Sequence, residues 1–297
     1  MSSLENALER PAAGRAASAA ADLVAGASLE MGAHRPQDAR SIAALLPGGT
    51  PVYVNHLPRH QLLDTLPTLV AVRDAGLEPV PHIAARRITD RAELETFLKR
   101  AVSEPGVRKA LVIGGDVPAP AGPYADGAAL IRDGLLAATG LREIGLPGYP
   151  EGHPRIPRPA LERAFAEKLA LAAAQGLGAY VVTQFSFAPA RIIEYCSALA
   201  RNAPRVSVCV GLAGPTNPVA LLRYAQRCGV SASLRALRAE GLNAVRLVTH
   251  TDPADQLAAL ARYCAAHADC NVTGIHLFTF GGVEASARWL NQQLTPI

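Results

Sequence analysis

The sequence predicts a single-domain (β/α)8 barrel. Eight short apolar or β-branched runs occur along its 297 residues, and segments with apolar residues at three- and four-residue spacing lie between them. Strands that alternate with helices are typical of a parallel sheet with crossover helices. A doubly wound open sheet is the alternative, but it does not need eight evenly spaced units. We therefore expect residues 23–297 to form the barrel and residues 1–22 to form an N-terminal arm or helix.

The predicted strands follow one another at regular intervals. In chain order they are 23–30, 51–55, 78–83, 109–116, 143–149, 179–185, 205–212 and 272–280. Amphipathic segments such as "DRAELETFLKRAVSE" and "APARIIEYCSALAR" separate them,. The interval between the last two strands is long enough for two or three extra helices, in "NPVALLRYAQRCG", "SLRALRAEG" and "DPADQLAALARYCAAH".

Composition and charge exclude several classes of protein. The 29 basic and 25 acidic residues are spread along the chain without a basic stripe, so nucleic acid is not an expected partner,. No apolar run approaches the roughly 18 residues of a membrane span, and the N-terminus lacks the continuous apolar region of a secretory signal. We expect a cytoplasmic protein that does not contact membranes. The five cysteines contain no CxxC pair, so reduced thiols are expected,.

Polar residues close most of the predicted strands. In a barrel of this kind, active sites form at the carboxyl ends of the strands, so these side chains would face one mouth. Each residue alone has an ordinary explanation as a turn, capping or core residue, and their convergence is what favours a site. The set comprises Glu30, Asn55, His56, His82, Gly115, Asp116, Tyr149, Glu151, His153, Thr183, Gln184, His276 and Thr279.

Familiar cofactor and metal signatures are missing from the sequence. It has no G-x-G-x-x-G after a strand and no P-loop, which disfavours a Rossmann or P-loop nucleotide site,. It also has no G-x-S-x-G nucleophile elbow. His56 and His60 are four residues apart, but no carboxylate lies at ligand spacing, and Cys264 with Cys270 lacks a second pair of zinc ligands,. We therefore predict no metal ion.

The ordered strand-end motifs resemble the methylenetetrahydrofolate reductase family of flavin-containing barrels. They are Glu30 after the first strand, "PHI", "GGDVP", "GYPEGHP", "TQFSF" and "HLFTF", and the likeness runs from about residue 24 to residue 293. The resemblance implies FAD as cofactor, NADH or NADPH as hydride donor, and a folate substrate. It implies ping-pong reduction of 5,10-methylenetetrahydrofolate to 5-methyltetrahydrofolate for methionine biosynthesis, or the reverse reaction in one-carbon catabolism. A homo-oligomer is expected by analogy with barrel enzymes generally.

The resemblance also implies roles for individual residues. Glu30 matches a general acid, and Asp116 matches an aspartate near the flavin and the pterin. The expected substrate-binding residues are Glu30, Asp116, Gln184 and Thr279. The expected cofactor-binding residues are Asn55, His82, Gly115, Asp116, Tyr124, Tyr149, His153, Arg155 and Lys168.

Two cationic positions of the family are absent from this sequence. Gly114 stands where many members have arginine, and Ala173 stands where lysine is usual. Arg132, Arg155, Arg158 or Lys168 would have to replace them at the flavin diphosphate. Two alternatives therefore stay open, namely a flavin-independent folate reductase and a non-redox tetrahydrofolate-binding barrel for one-carbon or methyl transfer.

Overall fold

The eight strands form a closed parallel barrel in chain order, from β1 to β8. This arrangement confirms the predicted (β/α)8 architecture. The computed structural model describes residues 3–56, 60–216, 221, 230 and 253–295, and residues 3–12 of these by backbone alone. Two of the three helices predicted between β7 and β8, at 217–229 and 233–241, therefore lie outside the described residues apart from Leu221. The third is present and covers Pro253–Ala266.

Each predicted strand is present, with shifted ends. The strands are β1 Ser28–Met31, β2 Pro51–Val54, β3 Glu78–Ala84, β4 Lys109–Ile113, β5 Glu143–Gly148, β6 Gly178–Thr183, β7 Ser207–Ala213 and β8 Val272–Phe278. β4 and β8 end before the predicted limits because left-handed backbone follows them, at Gly115 (φ 94°) and at Phe280 (φ 50°),. The first strand begins five residues later than predicted, since Leu23 and Val24 belong to a helix.

Helices occupy the connections between the strands. The described helices are α1 Ser3–Ala25, α2 Asp38–Ala43, α3 Leu66–Asp74, α4 Arg91–Ser103, α5 Gly127–Arg132, α6 Leu135–Ala138, α7 Arg158–Ala174, α8 Pro189–Asn202, α9 Pro253–Ala266 and α10 Val283–Leu294. Short 3-10 turns cover Leu62–Thr65 and Ala85–Arg87. Asp90 and Asp126 cap α4 and α5 through their side chains, which accept from backbone N–H groups of the first turn,. No helix in the described ranges has both the length and the apolarity needed to span a membrane.

Residue contacts divide the chain into two compact units. The first contains the described residues up to Ala27, Tyr149–Glu151, and those from Thr183 onward. Within it α1 packs against α9, α10 and β8. The second unit contains Ser28–Gly148 and Gly152–Val182, and its strands β1 to β5 pair in parallel order. The division of the chain into an arm over 1–22 and a barrel domain over 23–297 remains a prediction.

Candidate functional site

Glu30 and His82 form a carboxylate–imidazole pair in the second unit, at the carboxyl ends of β1 and β3. The parallel register pairs Glu30 with Tyr53, and Tyr53 with Val80. Side chains alternate along a strand, so His82 lies on the same side of β3 as Val80. Three consecutive strands thus direct Glu30, Tyr53 and His82 to one face. His82 Nε2 lies 3.9 Å from Glu30 Oε1, and the Tyr53 and His82 rings meet edge to face at 5.9 Å.

A second contact, which also involves Tyr53, joins two tyrosines of β2 and β6. The hydroxyl oxygens of Tyr53 and Tyr180 lie 2.9 Å apart, and both rings are buried. Gly145 of β5 makes room for the Tyr180 ring, because a Cβ at this position would lie 2.9 Å from Tyr180 Cζ and 2.9 Å from Leu111 Cδ1. Packing around the Tyr180 ring therefore requires glycine at position 145.

The Glu30–His82 pair is well shielded from solvent. The side chains of Glu30 and His82 are only 14% and 9% exposed. Their separation of 3.9 Å permits charge interaction but exceeds a direct hydrogen bond,. A secluded carboxyl group beside an imidazole can hold a proton and deliver it to a bound molecule. The predicted role of Glu30 as an acid therefore has suitable surroundings, and it stays a prediction.

Asp116 and Arg155, both predicted as site residues, lie close to each other. Arg155 Nη2 is 3.7 Å from Asp116 Oδ1, and both side chains are largely exposed. Gly115 precedes Asp116 with a φ of 94°, a conformation that favours glycine and turns the chain out of β4,. An exposed ion pair of this kind contributes little to stability. A ligand could therefore reach Asp116 and Arg155, but it would have to break their ion pair.

His153 and Arg155 shape the loop after β5. The backbone N–H of Arg155 donates to His153 Nδ1 at 3.2 Å, which leaves the hydrogen of a neutral imidazole on Nε2,. Burial lowers the pKa of His153, and the charge of Arg155 lowers it further. A single antiparallel bridge between His153 and Ile156 closes the turn. The prolines and this bridge restrict the backbone of this polar segment,.

Tyr124 was predicted to contact a flavin, and its hydroxyl group is hydrogen-bonded to a neighbouring carboxylate. It donates to Asp133 Oδ2 at 3.1 Å, and Arg91 Nε approaches the same oxygen at 3.0 Å. Burial raises the pKa of Tyr124 to about 12, and Asp133 adds to this rise. The hydrogen bond joins the segment before α5 to the residue that follows this helix. A flavin contact by Tyr124 stays a prediction. The ring rather than the hydroxyl group would have to make this contact.

The cations proposed for a flavin diphosphate differ in their surroundings. Arg132 pairs with Glu167, and Arg158 pairs with Glu162 at 2.9 Å, both on the surface. Lys168 is instead shielded: a Cβ on Gly127 would lie 3.8 Å from its Nζ. Burial lowers the pKa of Lys168, and the charges of Asp126 and Glu167 oppose this. Among these three cations, Lys168 is the one without a surface ion pair.

Asn55 follows β2 and extends the pairing of its backbone with β1. Its N–H donates to Met31 O at 3.1 Å, and the residue is half-buried. The next residue, His56, is buried, and its backbone oxygen accepts from Arg87 Nη1. Burial lowers the pKa of His56 and that of Arg87. This connection fixes the end of β2 to the turn after β3.

The first unit has its own group of polar residues at strand ends. Gln184 follows β6, and its side-chain oxygen accepts from the N–H of Phe185 at 3.1 Å. Ser186 donates to Glu151 Oε1 at 2.6 Å, which ties the segment after β6 to Tyr149–Glu151. Thr279 follows β8 and is buried. The predicted substrate contacts of Gln184 and Thr279 and the cofactor contact of Tyr149 stay predictions.

Aromatic rings from the same segments of the first unit pack against one another. Phe185 meets Phe187, Phe278 and Phe280 at ring-centre distances of 5.7, 5.5 and 5.2 Å. Edge and offset contacts at these distances are the arrangements that aromatic rings favour. Phe280 holds a positive φ of 50°, which is uncommon for a bulky residue,. The "TQFSF" and "HLFTF" motifs thus contribute a packed aromatic cluster as well as polar groups.

Sequence reasoning missed Tyr53, Tyr180 and Arg87. The predicted site residues are the last residues of each strand, whereas Tyr53 and Tyr180 lie one or more positions before the ends of β2 and β6. A signal was present, since alternation places Tyr53 on the same face as Asn55, and Tyr180 on the same face as Gln184. No sequence signal marks Arg87, whose contact with the His56 carbonyl depends on the turn after β3.

Comparison with known proteins gives a likeness of fold. No family model matches the chain. Among solved structures, an uncharacterized protein from Clostridium thermocellum that binds two copies of 5-methyl-5,6,7,8-tetrahydrofolic acid matches with a TM-score of 0.58 and 10% identity, over 91% of this chain and 95% of that one. A putative phosphonomutase from Burkholderia cenocepacia matches with a TM-score of 0.51 and 13% identity, over 93% and 98%. Dihydropteroate synthase from Thermus thermophilus matches with a TM-score of 0.44 and 16% identity, over 89% and 92%.

Proposed function

We propose that this chain is a tetrahydrofolate-binding (β/α)8 barrel that handles a one-carbon group on folate, with 5-methyltetrahydrofolate as a ligand. The observation that carries the proposal is the secluded Glu30–His82 pair at the carboxyl ends of β1 and β3. The protein from Clostridium thermocellum, whose fold resembles this one over nearly its whole length, binds 5-methyltetrahydrofolate. The ordered motifs of the sequence suggest folate independently of that likeness.

The chemistry of the ligand fits an acid at this place. In 5-methyltetrahydrofolate the methyl group is bound to N5, an amine that leaves readily only when it takes up a proton. A carboxyl group with 14% side-chain exposure can deliver that proton without competition from bulk water,. His82, 3.9 Å away, can restore the proton or balance the charge that Glu30 gains,. Both reduction and methyl transfer require such an acid, so the pair supports folate chemistry in general.

A flavin-dependent methylenetetrahydrofolate reductase is the second candidate, and Lys168 is the observation that favours it. The shielded ammonium group of Lys168 lies beside Gly127 at the start of α5, where it would attract a phosphate. When bound, FAD would supply hydride transfer between NAD(P)H and the folate. Arg155 and Arg158 each have a carboxylate partner that a diphosphate would have to displace. The non-redox folate barrel needs none of these cations, and we rank it first for that reason.

Calorimetric titration of the purified protein with 5-methyltetrahydrofolate tests the main proposal. We expect saturable binding that Glu30→Ala and His82→Ala each weaken by about tenfold, equal to about 1.4 kcal/mol. Glu30→Gln should bind nearly as well as the wild type, because the amide keeps the shape of the acid, and should lose proton-dependent turnover. Glu162→Ala is the matched control, since Glu162 pairs with Arg158 on the surface and should leave the affinity unchanged.

Addition of FAD and then of NADH or NADPH to the same preparation separates the two candidates. Folate binding with no flavin uptake and no change of absorbance on adding the nicotinamide would support the non-redox barrel. Flavin uptake that Lys168→Ala abolishes would support the reductase. Absence of folate binding in the wild type would overturn both.

A further inference from the structure

Cys264 and Cys270 lie together at the amino end of β8, away from the carboxyl ends of the strands. Cys264 is in the last turn of α9, and Cys270 lies two residues before β8. Their sulfur atoms are 2.9 Å apart, and in the neutral pair Cys270 donates its S–H to Cys264. Both cysteines are free and partly exposed. Neither has a part in the proposed folate chemistry.

A tight turn holds the two thiols in this position. The N–H of His267 donates to Cys264 O at 3.4 Å, and the N–H of Cys270 donates to His267 O at 3.1 Å. His267 Nδ1 lies 2.8 Å from Tyr263 O, and its ring packs on the Tyr263 ring at 4.4 Å between centres. The helix holds Cys264, and the hydrogen-bonded turn holds Cys270 next to it.

The two sulfurs differ in their acid strength. A hydrogen bond from Cys264 lowers the pKa of Cys270 to about 7 despite partial burial, with help from the N–H of Val272 and the charge of His267. The same interaction raises the pKa of Cys264, as does burial. The carbonyl groups at the end of α9 also disfavour a thiolate at Cys264. Cys270 is therefore the first nucleophile of the pair, and Cys264 keeps its proton as long as Cys270 is a thiolate.

We propose that Cys264 and Cys270 form a reversible redox dithiol that glutathione disulfide, or another small disulfide of that class, oxidises to an intramolecular disulfide. The Cys270 thiolate attacks one sulfur of the oxidant, which gives a mixed disulfide and releases one glutathione thiolate. The Cys264 thiol then loses its proton to that thiolate and attacks the Cys270 sulfur, which releases the second glutathione. Two protein thiols are oxidised, and one glutathione disulfide is reduced to two glutathiones.

Geometry and acid strength both favour this site over the buried Cys196. The sulfurs need to approach by only about 0.9 Å to reach the disulfide bond length of about 2.05 Å. The lowered pKa of Cys270 gives this residue a larger thiolate fraction near neutral pH than an ordinary thiol has,. The intrinsic nucleophilicity of a thiolate falls less steeply with its pKa than the thiolate fraction rises, so Cys270 should react faster than an ordinary exposed thiol. Cys196 is fully buried, and burial raises its pKa to about 12.

Metal binding is not a competing use of this pair within the described residues. No group of three or more histidine, cysteine or acidic side chains there has the arrangement of a metal site. Two thiols alone do not complete the four ligands of a structural zinc site. Disulfide exchange requires only the two sulfurs and an oxidant.

Tryptic mass mapping after exposure to glutathione disulfide tests the proposal. Cleavage at Arg262 and Arg288 leaves both thiols in one peptide, residues 263–288. We expect this peptide to lose about 2 Da, to resist alkylation at both cysteines, and to recover on reduction with dithiothreitol. Cys264→Ser should stop at a glutathione adduct on Cys270, and Cys270→Ser should react more slowly than the wild type. Cys209→Ser, which removes a partly buried thiol of β7, is the matched control and should leave the loss unchanged.

Three outcomes would overturn the proposal. The first is a glutathione adduct on Cys270 of the wild type while Cys264 can still be alkylated. The second is a cross-link from Cys270 to the peptide that contains Cys196. The third is no reaction within the time in which free cysteine is oxidised. Because the wild-type peptide is itself the readout, a variant that fails to fold does not prevent the test. The outcome is also independent of folate binding.

Discussion

At the scale of single residues, Glu30, Tyr53 and His82 are far apart in the sequence but neighbours in the structure. Glu30 and His82 were predicted because polar residues at strand ends are conspicuous. Tyr53 was not predicted, since a tyrosine inside an apolar strand resembles any core residue. Its place beside His82 depends on the β1–β2 and β2–β3 registers, which set the partner of each residue,.

His56, which contacts Arg87 and the His60 carbonyl, provides a pH-dependent test at the scale of one residue. Burial of the ring lowers the pKa of His56, and the charge of Arg87 lowers it further. The contact with the His60 carbonyl and the charges of Glu93 and Asp64 oppose this shift. The unfolded state therefore binds the proton first as the pH falls below about 6.5. Stability is fully present above this value and declines with acidification, by at most about 1.4 kcal/mol per pH unit for this group, until the folded state is also protonated.

Urea unfolding at pH 7.5, 6.5 and 5.5 measures this contribution. We expect the free energy of unfolding to fall across this range, and His56→Gln to reduce the slope even where it lowers overall stability. Parallel curves for the wild type and His56→Gln would contradict the assignment.

At the scale of elements, the start of β1 shows the limit of sequence patterns. Residues 23–30 form an apolar run that reads as a strand, but Leu23 and Val24 are buried within the last turn of α1. A short apolar run has no periodicity that separates a buried strand from a buried helix end. Residue 26, directly after the helix, has to be glycine, because a Cβ there would lie 2.1 Å from Thr273 O of β8.

Gly145 of β5 allows a direct test of how the elements of the second unit fit. Gly145→Ala would place a methyl group 2.9 Å from both Leu111 Cδ1 and Tyr180 Cζ. We expect a loss of about 1–3 kcal/mol of unfolding free energy, because overpacking forces side chains or backbone to shift. Thermal or chemical unfolding measures the loss. Gly114→Ala is the control, since a Cβ there meets nothing within 4 Å; equal losses in both variants would contradict a packing role for Gly145.

At the scale of the whole molecule, ligand binding should appear as stability. A ligand that binds only the folded chain adds about 2.7 kcal/mol of unfolding free energy at a concentration one hundred times its dissociation constant. We expect 5-methyltetrahydrofolate to raise the midpoint of thermal unfolding, and the midpoint should continue to rise with the logarithm of its concentration above the dissociation constant. The p-aminobenzoylglutamate fragment, which lacks the pterin, should raise it much less. Equal shifts from both molecules would indicate that the pterin is not recognised.

The sequence by itself determined the class of fold, because alternation of short apolar runs with amphipathic segments is a local property that recurs eight times. It also marked Glu30, His82 and Asp116, since polar residues after buried strands stand out without knowledge of their neighbours. Only the tertiary structure decided the contacts. The Glu30–His82 pair, the Tyr53–Tyr180 hydrogen bond, the Asp116–Arg155 ion pair and the Cys264–Cys270 pair depend on register and loop conformation. These are set by the packing of the chain as a whole, and no local pattern of residues carries them.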